Sequence, residues 1–140
     1  MRFMVVVKAT KDSEAGAPPN PEIMEAMGKF NAELIKAGVL LAAEGLQPSS
    51  KGARLRISGD KRTVIDGPFA ETKELIAGFW LWQVSSREEA LEWAKRVPAP
   101  FEGESEIEIR QVYEMSDFGR EMTERQRQKE EALRAQIGQR

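Results

Sequence analysis

The alternation of apolar and polar residues divides the chain into short strands and two amphipathic helices. Residues 2–8, rich in Val and Phe, predict a buried strand, and residues 9–20, with their Gly and Pro, predict a loop. A helix is predicted over 21–37, because Asn-Pro favours a helix start and Gly38 favours a left-handed stop. Its apolar stripe consists of Ile23, Met27, Phe30 and Leu34.

A similar pattern fills the second half of the chain. The sequence Ser86-Arg87-Glu88-Glu89 has the form of a capping box and opens a second helix that ends before Pro98. Ala90, Trp93, Ala94 and Val97 share one face of this helix. The other predicted extended segments are 39–43, 54–58, 63–65, 78–84 and 106–113. This order predicts an α+β fold of the ferredoxin-like βαββαβ type, an antiparallel sheet with two helices on one face.

The last part of the chain has a different composition. Residues 117–137 are nearly all Glu, Arg, Gln, Lys and Ala, which predicts a solvated helix that touches the rest of the protein mainly near its ends. We therefore divide the chain into a ferredoxin-like domain, residues 1–115, and a charged C-terminal helix, residues 116–140. The large apolar residues of the extension are Phe118, Met122, Leu133 and Ile137.

Two predicted strands are apolar on both faces, which bears on assembly. In strand 78–84, Phe79 and Leu81 lie on one face while Trp80, Trp82 and Val84 lie on the other. Two tryptophans on an open sheet face would form a large exposed patch, which is rare in monomers. A homodimer in which a second sheet covers that face is the simplest remedy. The alternative is that the C-terminal helix folds back over the face.

Composition excludes several classes of function. The chain has 140 residues, enough for one domain, with a formal net charge of −2 and neither Cys nor His. These features disfavour nucleic acid and membrane partners, disulfides, thiolate or His-dependent catalysis and His- or Cys-ligated metals. We expect no structural metal and no cofactor, and the absence of a signal peptide or membrane span predicts a cytoplasmic protein.

The most distinctive string is Asp66-Gly67-Pro68-Phe69-Ala70-Glu71-Thr72-Lys73-Glu74. Asp66 ends a predicted strand, where a partly desolvated carboxylate acts as an acid or a base, so it is our candidate catalytic residue. The candidate ligand-binding residues are Glu44, Arg54, Pro68, Phe69, Glu71, Lys73 and Trp80. Each has a structural alternative: the Asp-Gly-Pro and Glu44 segments are typical turns, arginines on strands are mostly solvated, and the aromatic residues suit a core.

The same string resembles the DGPF, or YCII-related, family of small bacterial proteins. Gly45-Leu46-Gln47-Pro48, Gly78-Phe79-Trp80-Leu81, Glu89 to Ala94 and Ile107 to Val112 add to the resemblance, which covers about residues 1–113. The resemblance implies the dimeric α+β barrel fold and a pocket in each protomer between sheet and helices, bordered by the DGPF loop. In such relatives a His-Asp pair is taken as an active site. Asp66 matches the Asp, and this chain has no counterpart of the His.

Two functions stay open from the sequence. One is a small-molecule site in each protomer of a homodimer, for binding or for cofactor-free catalysis centred on Asp66. The other is a non-catalytic regulatory or interaction protein, for example an accessory of an extracytoplasmic-function sigma factor, because many family members are encoded beside or fused to such factors. Whether the chain is an enzyme is left open by the sequence.

Overall fold

A computed structural model describes residues 1–121 and 123–138. The strands are β1 (Arg2–Lys8), β2 (Leu40–Gly45), β3 (Ala53–Ser58), β4 (Lys61–Asp66), β5 (Ile76–Gln83) and β6 (Ile107–Gln111). The α-helices are α1 (Lys11–Glu14), α2 (Pro21–Lys36), α3 (Arg87–Lys95) and α4 (Glu124–Gly138). Three 3₁₀ turns lie at Ser49–Lys51, Thr72–Glu74 and Met115–Glu121.

Four strands form one antiparallel sheet in the order β2-β5-β1-β6. β1 and β2 both run antiparallel to the β5 strand between them, and β5 and β6 both run antiparallel to β1. This arrangement is the split βαβ topology of the ferredoxin-like fold, with α2 and α3 as the two crossovers. The α+β fold predicted from the sequence is confirmed. The β3–β4 hairpin forms a separate two-stranded sheet inserted between β2 and β5.

The core lies between the sheet and helices α2 and α3. Trp82 and Val5 of the sheet are fully buried, as is Leu34 of α2. Phe30 is central to the aromatic packing, with edge-on ring contacts to Trp80, Trp82 and Trp93 at centroid distances of 6.0–6.2 Å. Such contacts suit the quadrupoles of aromatic rings and add to the free energy gained from burial.

Local sequence signals explain most helix ends. The Asn20 side chain accepts a hydrogen bond from the Glu22 N–H, and the Ser86 side chain caps α3 through the Glu89 N–H. The prediction of a loop over residues 9–20 is wrong in part, because this segment contains the short helix α1. Thr10 and Ser13 exchange the two hydrogen bonds of a capping box there, a signal that the Gly and Pro content of the segment obscured.

The structure shows which face of the sheet carries the two tryptophans of β5. Trp80 and Trp82 point into the core against the helices and are 5% and 0% exposed, so they do not form an open patch. The opposite face carries Met4 opposite Leu81 and Val6 opposite Phe79. Met4 is 40% exposed. An apolar open face therefore exists, but it is aliphatic with one Phe rather than rich in tryptophan.

The C-terminal extension is helical, as predicted, although a 3₁₀ turn precedes α4. Its attachment centres on Glu114, whose carboxylate accepts hydrogen bonds from Arg2 at 2.9 and 3.2 Å and lies 4.0 Å from Arg134 of α4. The hydrogen bonds from Arg2 lower the pKa of Glu114. α4 packs over no strand extensively, and its Leu133 and Ile137 are exposed, while the predicted apolar residue Met122 lies outside the described residues. Within residues 1–121 and 123–138, no helix is long and apolar enough to span a membrane.

Candidate functional site

A cavity of about 270 Å³ lies between α2 and the end of the sheet formed by β2, β5 and the last residues of β1. Its wall is mostly apolar, and Phe101, from the segment that follows α3, closes one side. The space exists where the inward positions of the sheet are small: Gly45 pairs with Gly78, next to Ala77. The apolar lining includes Val7, Met27, Ala43, Ala77, Trp80 and Phe101.

A second, wider cavity of about 660 Å³ adjoins the first. The two adjoin at Gly45, Ala77, Pro100 and Phe101, which lie in the walls of both, and we refer to them together as the cleft, with an inner and an outer part. The outer part is bordered by the chain between α1 and α2 and by Glu102. The Asn20 side chain donates a hydrogen bond to the Glu102 carboxylate at 3.1 Å, which ties these two walls together at the rim.

The inner part contains one oriented polar pair. The indole N–H of Trp80 donates to the Asn31 side-chain oxygen at 2.7 Å. This bond fixes the carboxamide of Asn31, so its NH₂ group is left to donate to another acceptor; among the described residues no bond from it is seen. An apolar cavity with one convergent polar group is typical of small-molecule sites.

The charged side chains around the cleft have the same sign. Among the described residues that line it, the charged ones are Asp12, Glu44 and Glu102, all acidic. The strand register places the Glu44 side chain next to Phe79, on the face of the sheet opposite to the helices. The two carboxylates available to the outer cleft are therefore those of Asp12 and Glu102. This distribution disfavours anionic ligands and suits neutral or cationic ones.

The Asp-Gly-Pro-Phe segment packs against the 3₁₀ turn at Ser49–Lys51. The Gly67 N–H donates to the Gly52 carbonyl at 3.0 Å. A Cβ added at Gly67 would lie 1.8 Å from the Ser49 carbonyl oxygen, which no side chain tolerates. Glycine is therefore needed at 67 for the close approach of two backbone segments. The peptide bond between Gly67 and Pro68 is cis.

Further contacts hold the same segment. The Phe69 N–H donates to the Ser49 hydroxyl at 3.1 Å, and the Ser49 hydroxyl in turn donates to the carboxylate of Glu14. The Ser49 N–H also donates to Glu14, at 3.0 Å. The guanidinium of Arg54 stacks on the Phe69 ring, 3.9 Å from its centroid. The loop thus joins α1, the 3₁₀ turn and the base of the β3–β4 hairpin.

The predicted site residues do not form one cluster. Glu44 and Trp80 border the inner cavity, and Arg54 contacts Phe69 at the base of the hairpin. Asp66 is exposed at the end of β4, and among the described residues its carboxylate has no hydrogen bond or ion pair, either within its turn or elsewhere. The other three predicted ligand-binding residues, also outside both cavities, are Pro68, Glu71 and Lys73. A catalytic role for Asp66 stays a prediction.

Sequence reasoning missed several residues that the fold brings together. Asn31 had a local signal, because it follows the buried Phe30 and lies one turn after Met27, and a polar amide beside an apolar helix stripe suggests a partner. No local sequence signal marked Phe101, Asp12 or Glu102, because these residues lie in segments without regular periodicity. Glu14 and Ser49 are 35 positions apart, and only the tertiary fold shows that they interact.

Comparisons with known proteins yield one family match and one curated relative. A family model described as the YCII-related domain matches residues 1–116. An uncharacterized protein of Rhizobium meliloti (strain 1021) is 38% identical to this chain over 73 residues, which are 52% of this chain and 59% of that relative. The chain thus spans a little over half the length of the curated relative that it matches.

Proposed function

Since the chain belongs to the YCII-related domain family, whose model covers both the sheet and the cleft beneath it, we propose that it binds a small, largely apolar molecule in that cleft. The single observation that carries this proposal is the pair of adjoining cavities that share Gly45, Ala77 and Phe101 in their walls. An apolar body would lie against Met27 and Trp80, and a polar head would lie in the outer part.

The chemistry of the lining defines the ligand class. Asn31 offers a hydrogen-bond donor to the inner part, and Asp12 and Glu102 offer acceptors to the outer part. A ligand with an aromatic or aliphatic body and an amine or another donor head satisfies the outer part, and an acceptor atom on its body would pair with Asn31. The proposal concerns binding rather than catalysis, because Asp66 lies outside both cavities. An accessory role beside a sigma factor stays a prediction from the family resemblance.

Three probes with similar bodies test the proposal: phenethylamine, phenylacetamide and phenylacetate. We expect saturation-transfer NMR titration to show binding in the order amine, amide, carboxylate, with at least a tenfold difference between the first and the last, which corresponds to about 1.4 kcal/mol. Glu102→Gln should reduce the preference for the amine, because it removes a negative charge from the outer cleft.

A matched pair of variants on α2 locates the site. Met27→Trp fills the inner cavity and should abolish binding of all three probes. Met24→Trp, on the same helix, alters a residue that is 59% exposed and absent from the lining, and should leave binding unchanged. If none of the probes binds, or if Met27→Trp binds them as the wild type does, the proposal is wrong.

A further inference from the structure

The outer part of the cleft shares a wall with the contacts that hold the β3–β4 hairpin. Asp12 and Gly16, from α1 and the turn that follows it, line the outer part, and Pro48 lines it as well. A Cβ placed on Gly16 would lie 3.9 Å from the Cγ of Pro48, so the chain after α1 and the start of the 3₁₀ turn at Ser49–Lys51 lie side by side. A ligand that fills the outer part therefore touches both segments.

Helix α1 depends on that 3₁₀ turn for its position. The helix has four residues, none of them buried, and isolated helices shorter than about 12–15 residues are marginal in water. Its capping box, between Thr10 and Ser13, is internal to the segment. Among the described residues, the side-chain hydrogen bonds from α1 to the rest of the protein are those that Glu14 accepts from the N–H and the hydroxyl of Ser49. The contact between Glu14 and Ser49 therefore sets the shape of this wall of the outer cleft.

Ser49 also connects this wall to the β3–β4 hairpin. Its hydroxyl donates to Glu14 and accepts the hydrogen bond of the Phe69 N–H at 3.1 Å. The guanidinium of Arg54, in β3, stacks on the Phe69 ring. Apart from the pairing of β3 with β4, the described residues make no extensive contact between the hairpin and another helix or strand. Two-stranded hairpins are marginally stable in water, so the order of this hairpin depends on the contacts at its base.

We propose that a ligand in the outer cleft stabilises the β3–β4 hairpin through Glu14, Ser49 and Phe69, so that the order of the hairpin depends on whether the cleft is occupied. The inference rests on the proposed function and adds a regulated element to it. A ligand that touches both α1 and Pro48 binds more tightly when Glu14 holds Ser49 than when this contact is open, and so it shifts the population towards the closed arrangement. The coupling is reciprocal, so an ordered hairpin also raises the affinity of the cleft for its ligand.

Amide hydrogen exchange with and without phenethylamine tests the coupling. At a probe concentration about 100 times its dissociation constant, we expect exchange over residues 53–66 to slow at least about fivefold, the lower end of typical coupling between two sites. Met27→Trp, which fills the inner cavity, should abolish this protection together with binding. Exchange over α4, which has no described residue in the wall of either cavity, is the internal reference and should not change.

A first pair of variants interrupts the connection at Ser49. Ser49→Ala removes the hydroxyl but keeps the backbone N–H that donates to Glu14 at 3.0 Å, so α1 stays attached. Phenethylamine should still bind this variant, and at the same multiple of its own dissociation constant it should no longer protect residues 53–66. Ser50→Ala is the matched control. Ser50 is exposed, and no hydrogen bond of its side chain is seen among the described residues, so the protection should persist.

A second pair interrupts the connection at the hairpin itself. Arg54→Ala removes the stacking on Phe69 and should abolish the protection, as Ser49→Ala does. Arg56→Ala, two residues further on the same face of β3, should leave the protection intact. Both arginines are exposed, so we expect both variants to fold, which circular dichroism would verify. This pair decides the question even if Ser49→Ala does not fold.

The possible results separate the coupling from the proposed function. If phenethylamine binds but exchange over residues 53–66 is unchanged, or if Arg54→Ala keeps the full protection, the coupling is wrong and the proposed function stands. If exchange over α4 slows as much as exchange over 53–66, the probe stabilises the whole protein and the coupling is again wrong. If phenethylamine does not bind the wild type, the proposed function is wrong and the coupling is wrong with it.

Discussion

Replacement of Gly67 by Ala tests the backbone contact that fixes the Asp-Gly-Pro-Phe segment. The new Cβ would lie 1.8 Å from the Ser49 carbonyl oxygen and 2.7 Å from its carbon, and neither is the end of a flexible side chain. The 3₁₀ turn at Ser49–Lys51 and the Gly67 backbone must therefore separate. Their separation breaks the Gly67–Gly52 hydrogen bond at 3.0 Å and the Phe69–Ser49 bond at 3.1 Å.

The magnitude follows from these losses. Two hydrogen bonds contribute about 1 kcal/mol each, and the forced backbone shift costs about 1–3 kcal/mol. We expect Gly67→Ala to lower the free energy of unfolding by about 3–5 kcal/mol, and the urea midpoint by about 1.5–2.5 M for a slope of about 2 kcal/mol/M. If the hairpin detaches without global unfolding, the change appears instead as faster amide hydrogen exchange over residues 49–69.

Gly28→Ala is the matched control. Gly28 lies within α2, and a Cβ there would have nothing within 4 Å. Alanine should raise the stability by about 0.5–1 kcal/mol, because glycine is unfavourable inside a helix. The same substitution thus has opposite signs at the two sites. The reasoning is refuted if Gly67→Ala changes neither the urea midpoint nor the exchange rates over residues 49–69.

Three further substitutions test other contacts of the fold. Trp80→Phe should destabilise the protein by about 1 kcal/mol more than Trp82→Phe in urea titrations, because Trp80 donates to Asn31 whereas the buried Trp82 indole N–H has no partner among the described residues. Equal losses would contradict this. Ser49→Ala should cost about 1–2 kcal/mol, since it removes the hydroxyl that joins Glu14 to Phe69, and the exposed Ser50→Ala should change the stability by less than about 0.5 kcal/mol. Glu114→Gln should lower the stability at neutral pH by about 0.5 kcal/mol, the scale of an exposed ion pair. The pKa of Glu114 is below its usual 4.5 in the folded state, so its contribution is present above that value and disappears as the pH falls through the lowered pKa. A difference between wild type and Glu114→Gln that persists in acid would rule out this cause.

Most of the elements and their order were predictable from local signals in the sequence. Asn20 and Ser86 mark helix starts through their own backbone geometry, and the alternation in 2–8 and 78–84 marks strands, because these signals act between residues close in sequence. The ferredoxin-like topology follows, since two βαβ units connected in this order have few ways to bury their apolar faces. The short helix α1 was missed because local signals conflicted there. Its capping box was present in the sequence, but the neighbouring Gly and Pro residues indicated a loop.

Which face of the sheet is buried, and where the cleft lies, depends on how distant parts of the chain pack together. The alternation in β5 allows Trp80 and Trp82 to face either side, and their orientation depends on packing against Phe30 of α2. The cleft depends on small residues of two strands that meet, Gly45 and Gly78, and on Phe101 from a distant irregular segment. The need for glycine at 67 likewise comes from Ser49, 18 positions earlier in the chain. Contacts between residues far apart in sequence leave no periodic signal, because the free energy that selects them is gained only when the whole chain packs.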